Sequence, residues 1–242
     1  MPKMAGAWRA QCEANHIDVE GSTGATIVHR FATSVRYSDV LGRGRERNRT
    51  VALEQLMPFQ VTICGLDELE CHCAGRITHV LSILDPGWPE PELLSGFGID
   101  RRLRLRFHDV IESQPGWIAP ERWDVELLLA FSRDLSTSQE THLLVHCHAG
   151  VSRSTAAATL VIAQTCPDRP AEEVLREVAR LRPRAWPNLR ILELGDEILV
   201  RHGEIVEAAR AHYRRALERE PWLAEAMIGG GRGREVAAAR LP

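Results

Sequence analysis

The stretch that decides the reading is His146-Cys147-His148-Ala149-Gly150-Val151-Ser152-Arg153-Ser154. An arginine stands six positions after the cysteine. His precedes the cysteine, Gly follows it by three, and a hydroxyl comes directly after the arginine. Upstream, Thr141-His142-Leu143-Leu144-Val145 is short and apolar and predicts a buried strand. Downstream, the alanine-rich run from Ser154 to Ala163 predicts a buried helix. A strand, a tight loop and a helix N-terminus together make an anion site, because backbone N–H groups and the positive end of the helix dipole converge there. Cysteine attacks as its thiolate, the form such a site favours. A planar guanidinium can grip two oxygens of a phosphate.

A cysteine six residues before an arginine is a common accident in an arginine-rich chain, and a buried cysteine at a strand end usually serves packing. The full pattern, set between strand and helix, is far more selective. At these residues the chain resembles the cysteine-dependent protein tyrosine phosphatase superfamily, and within it the dual-specificity branch. The loop fits that signature at every defining position. The likeness thins over about residues 57 to 200 and does not extend upstream.

The resemblance implies a nucleophilic Cys147 that forms a phosphocysteine. Arg153 and the N–H groups of His148, Ala149, Gly150, Val151, Ser152 and Arg153 would hold the phosphate oxygens, with Gly150 allowing close backbone approach. Ser154 would stabilise the departing sulfur, and a helix N-cap is its plainer role, compatible with the first. His146 would orient the loop, and His148 would point outward. The general acid is expected after the strand preceding the long helix. Asp109, closing Arg104-Leu105-Arg106-Phe107-His108-Asp109, fits that place, and Asp100 and Asp124 are the fallbacks. Its separation from Cys147 is long, and Ser113-Gln114-Pro115-Gly116-Trp117 reads as an insertion. Asn188, in Trp186-Pro187-Asn188, is expected to support the site by capping the next helix.

Composition sets the bounds. The chain has 242 residues and 44% apolar content, enough for one ordinary domain with extensions. A net charge of −3 gives no reason to expect nucleic-acid or anionic-membrane partners. Lys3 is the single lysine among 30 basic residues, which together with abundant Ala and Gly points to a GC-rich bacterial genome. Cys12, Cys64, Cys71, Cys73, Cys147 and Cys166 do not space as a disulfide framework, and a nucleophilic thiol needs a reducing compartment. No apolar run reaches membrane-spanning length, and no signal-peptide core is present. These features predict a soluble, cytoplasmic protein.

Strands alternating with helices predict an α/β domain: a central mixed sheet flanked by helices, the phosphotyrosine protein phosphatase-like fold that the resemblance implies. Residues 1–56 lack periodicity and read as a flexible N-terminal extension, with Met57 opening the catalytic domain, 57–220. Strands are expected over Phe59 to Cys64, Ile77 to Leu84, Arg102 to Phe107 and Thr141 to Val145. Helices are expected over Leu66 to Ala74, Pro120 to Leu135, Ala156 to Thr165, Pro170 to Leu181 and the long stretch from Asn188 to Glu218. The Gly229-Gly230-Gly231-Arg232-Gly233-Arg234 run marks residues 221–242 as a disordered tail.

Cys64, Cys71, His72, Cys73 and His79 lack the usual zinc spacing, so no metal and no cofactor is expected. Cys71 or Cys73 would be the candidate resolving thiols. The expected partner is a phosphorylated protein or small phosphoester bound in a shallow pocket, with Trp88 or Trp117 at its rim or simply packed. Three alternatives remain at this stage: a phosphate-binding pseudophosphatase, or a phosphatase acting on phosphoinositide or on RNA.

Overall fold

The computed structural model describes residues 57–72, 76–96, 99, 101–133, 135 and 140–241. The flexible extension expected over 1–56, Cys12, Cys73, the helix stop at Gly75 and the fallback Asp100 lie outside the described residues.

Strands β1 (Gln60–Cys64), β2 (His79–Leu84), β3 (Arg101–Arg106) and β4 (His142–His146) form a sheet ordered β1-β4-β2-β3. The expected α/β architecture is present, with one correction. Among the described residues every strand pair is parallel, so the sheet is not mixed. The reason is connectivity: each strand returns by a crossover rather than a hairpin. β2 is buried at every position and β4 at all but its first, as strands covered on both faces must be. β3 takes the edge, where four arginines alternate with Leu103 and Leu105. β4 lies between β1 and β2, with His146 opposite both Cys64 and Ser82. Its carboxyl end therefore opens at the strand-order reversal, where α/β sheets bind ligands.

Helices α1 (Arg122–Arg133), α2 (Arg153–Thr165), α3 (Ala171–Leu181), α4 (Leu189–Ile198) and α5 (Glu204–Arg219) follow. The first predicted helix is instead a 3₁₀ segment, Leu66–His72. α2 is buried from Arg153 to Ala163, and Ala156, Ala157 and Ala158 let it sit close to its neighbours. The long amphipathic stretch is two helices. Val200, His202 and Gly203 adopt positive φ at the break, and the Asp196 carboxylate accepts the N–H groups of Gly203, Ile205 and Val206 at the start of α5. No helix among the described residues is long and apolar enough to cross a membrane.

The disordered tail is a second correction. Residues 221–241 form α6 (Trp222–Gly229) and α7 (Gly233–Ala239), and Arg232, Glu235, Val236, Ala238 and Ala239 are buried. Glycine composition suggested flexibility, yet Gly231 at φ 76° simply makes the turn between the helices. Glu235 accepts hydrogen bonds from Trp186 Nε1 at 2.6 Å and the Leu189 N–H at 2.9 Å, which anchors α7 beneath the start of α4. A chain ending at Glu220 is expected to lose at least about 3–5 kcal/mol, the usual cost of breaking one buried charged network. Urea denaturation checks this, and an unchanged midpoint would show the segment to be dispensable.

Candidate active site

Cys147 follows β4 directly, and Ser152 stands at the N-cap of α2. Between them the backbone reverses through Gly150, whose φ of 68° favours glycine. A Cβ there would lie 2.4 Å from the Cys64 carbonyl carbon and 2.5 Å from the Gly65 nitrogen, so the loop can pack on the end of β1 only as glycine.

Five consecutive loop carbonyls are tied down from outside. The His148 carbonyl accepts from the Leu66 N–H at 3.0 Å. Arg182 donates to the Ala149 and Gly150 carbonyls, each at 3.0 Å, and is itself paired with Glu68 at 2.7 Å. The Val151 carbonyl takes the Trp186 N–H at 2.9 Å, and the Ser152 carbonyl takes Ala156 and Asn188. With its carbonyls engaged there, the loop leaves its N–H side for the sulfur and any anion bound above it. Gly150 N donates to Cys147 Sγ at 3.2 Å. Ser154 Oγ is also 3.2 Å from Sγ. Ser154 is inside the helix rather than at its cap, so the capping role falls away.

The Arg153 side chain is buried. Its Nη1 donates to Asp85 Oδ1 at 2.6 Å and to the Phe107 carbonyl at 2.7 Å. Its Nε is buried without a hydrogen-bond partner, an unusual state for a charged donor. His148 does not point freely outward as expected. It is half-buried, accepts the Asp85 N–H on Nε2 at 3.1 Å, and meets Trp88 edge-on at 4.5 Å. Burial, and then Arg153, lower its pKa, in keeping with a neutral ring that accepts on Nε2. Trp88 is 48% exposed, and Trp117 packs edge-on against His108 instead.

Asp109 is beside the loop. Its Oδ1 accepts from Ser152 Oγ at 2.8 Å, Asn188 Nδ2 at 2.9 Å and Arg232 Nη1 at 3.1 Å. Burial raises its pKa, but Arg232 and Arg153, followed by the hydrogen bonds from Asn188 and Ser152, outweigh that and hold it below the ordinary value. Asn188 also caps α4 through the Ile191 N–H. Asp124 is committed elsewhere, accepting the Glu121 N–H at the start of α1. Cys64, Cys71, His72 and His79 do not gather: among the described residues no three potential ligands stand together.

Sequence reasoning missed Asp85, Glu68, Arg182 and Arg232. Asp85 left a signal, a carboxylate directly after a buried parallel strand, where ligands bind. The others act from distant segments and left none.

His146 is fully buried in the central strand, and both ring nitrogens lack a hydrogen-bond partner. Burial lowers its pKa to about 4. The unfolded chain takes up the proton near pH 6.5 and the folded chain only near 4, so stability falls as pH drops through that window. The loss from this residue is about 3 kcal/mol. Denaturation at pH 7 and pH 4.5 is expected to show a smaller acid loss for His146→Asn than for wild type; equal losses would remove His146 as the cause.

No family model matches the chain. Over 143 residues, 56% of this chain, it is 32% identical to human protein phosphatase Slingshot homolog 3, of which the match covers 18%. The chain thus spans less than a fifth of that relative's length. Among solved structures, it resembles human DUSP28 at 16% identity and a TM-score of 0.45, covering 61% of this chain and 95% of that one. The human tyrosine phosphatase-like serine/threonine/tyrosine-interacting protein matches at 18% identity and a TM-score of 0.46, with 61% and 95% covered. DUSP15 matches at 22% and 0.42, with 69% and 94% covered.

Proposed function

We propose that this chain is a member of the cysteine-dependent dual-specificity phosphatase superfamily and hydrolyses phosphate monoesters through a phosphocysteine on Cys147. The observation that carries the reading is the surrounding of Cys147 Sγ: a loop N–H and the Ser154 hydroxyl each 3.2 Å away, at a helix N-terminus. In the first step Sγ attacks phosphorus and the P–O ester bond breaks. Asp109 gives its proton to the leaving oxygen. Arg153, through its unpartnered Nε, and the loop N–H groups hold the three remaining oxygens. A phosphate dianion beside Arg153 offsets part of the positive field on Asp109, so substrate binding itself favours the protonated acid. In the second step water attacks phosphorus, its proton passes to Asp109, and Sγ leaves with the Ser154 hydroxyl stabilising it. Asn188 and Ser152 keep Asp109 in place.

The substrate class is a phosphorylated protein or a small phosphoester. Trp88 and His148 form the rim that a substrate side chain would pass. A thiolate nucleophile suits the reducing cytoplasm.

Hydrolysis of p-nitrophenyl phosphate tests the proposal. Turnover is expected to persist in EDTA, to be blocked by vanadate and to vanish in Cys147→Ser while vanadate still binds. A folded, reduced wild type that binds vanadate but turns nothing over would favour a phosphate-binding pseudophosphatase. Asp109→Ala is expected to slow hydrolysis about 10²-fold or more for poor leaving groups. It should matter much less for good ones, and equal slowing across a leaving-group series would remove Asp109 as the acid.

A further inference from the structure

Arg232 touches the proposed general acid, yet the reaction above gives it no role. This residue lies in the segment read from sequence as a disordered tail, some distance along the chain from the signature loop. Yet its side chain is only 8% exposed and reaches the loop. Nη1 is 3.1 Å from Asp109 Oδ1, and both terminal nitrogens are 3.1 Å from Ser152 Oγ. Nη2 donates to Glu235 Oε1 at 2.6 Å. Glu235 is fully buried and fixed in turn by Trp186 and the Leu189 N–H. An arginine is costly to bury merely to close a helix pair, because apolar residues of similar volume usually do that equally well or better. Here it is held by one carboxylate and aimed at another.

We infer that Arg232 is a positioning residue for Asp109, delivered to the site by the α6–α7 turn. Together with Ser152 and Asn188 it fixes Oδ1. None of these three donors reaches Oδ2, which leaves that oxygen to exchange the proton with the leaving group. The inference rests on the phosphatase reading. It makes the C-terminal segment part of the site rather than an appendage. It also assigns the electrostatics. The charged or titratable groups around Asp109 are Arg153 from α2, His148 from the loop, Arg232 from the turn before α7, and Glu235 behind Arg232. Of these only Arg232 both touches the carboxylate and carries a positive charge. Burial works against that charge, but Asp109 and Glu235 more than restore it.

The test is the pH dependence of kcat/KM for phenyl phosphate, whose poor leaving group makes proton donation matter. The basic limb reports loss of the acid's proton. Removing the adjacent cation lets Asp109 keep its proton to higher pH, so Arg232→Gln is expected to move that limb up by about one pH unit. Arg232→Lys is expected to restore it most of the way. Asp109→Asn is run beside them and is expected to abolish the limb. If Asp109→Asn abolishes the limb but folded Arg232→Gln leaves it in place, the positioning role is overturned and the phosphatase reading stands. If Asp109→Asn leaves the limb unchanged, the general-acid assignment falls and the role of Arg232 falls with it. Should Arg232→Gln fail to fold, Glu235→Gln carries the test. It leaves Arg232 less compensated, so the limb is expected to move down, and an unmoved limb would overturn the inference.

Discussion

The backbone between His148 and Ser152 has to turn its carbonyls away from Cys147 so that its N–H groups can serve the sulfur. Peptide groups do not hold such a turn unaided, because each carbonyl needs its own partner. The protein supplies five sets of partners from four directions: the Leu66 N–H after β1, Arg182 after α3, Trp186 and Asn188 before α4, and the first turn of α2 itself. The ion pair of Arg182 with Glu68, whose other oxygen accepts the Gly65 N–H, ties the β1 side of the loop to the α3 side. Much of the remaining fold follows from keeping these partners in place.

The same economy governs the charged side chains. Arg153 is buried next to Asp85, and Arg232 is buried next to a partly exposed Asp109. A buried ion earns its place only where a partner and further hydrogen bonds meet it. Both pairs do so, but unevenly. Arg153 retains an unsatisfied Nε, and the three donors to Asp109 all go to Oδ1. In the proposed reaction Arg153 Nε and Asp109 Oδ2 are where substrate oxygens and the leaving group enter.

How far the sequence could be read varies with the range of the interaction. The strands β1 to β4 and helices α1 to α3 lie within a few residues of their expected bounds, because apolar periodicity and proline punctuation are local. The break between α4 and α5 was missed. It depends on Asp196 reaching seven to ten residues ahead to cap a helix, and on two non-glycine residues at positive φ. The C-terminal pair was missed for a stronger reason. A glycine- and arginine-rich run looks solvated by composition, and only contact with Trp186, Leu189 and Asp109 makes Arg232 and Glu235 interior residues.

The sequence by itself determined the loop. Cys147, Gly150, Arg153 and Ser154 sit in one uninterrupted run between a strand and a helix, so their juxtaposition needs only local geometry. Asp109 was reachable too, through the resemblance, which implies an acid in the loop after the strand preceding the long helix. What the tertiary structure decided is which groups hold these residues. Asp85, Glu68, Arg182 and Arg232 come from segments far apart in the chain, and their roles arise when burial removes water as the competing partner. No spacing rule encodes such pairs, since a buried charge selects its counterpart by position in space.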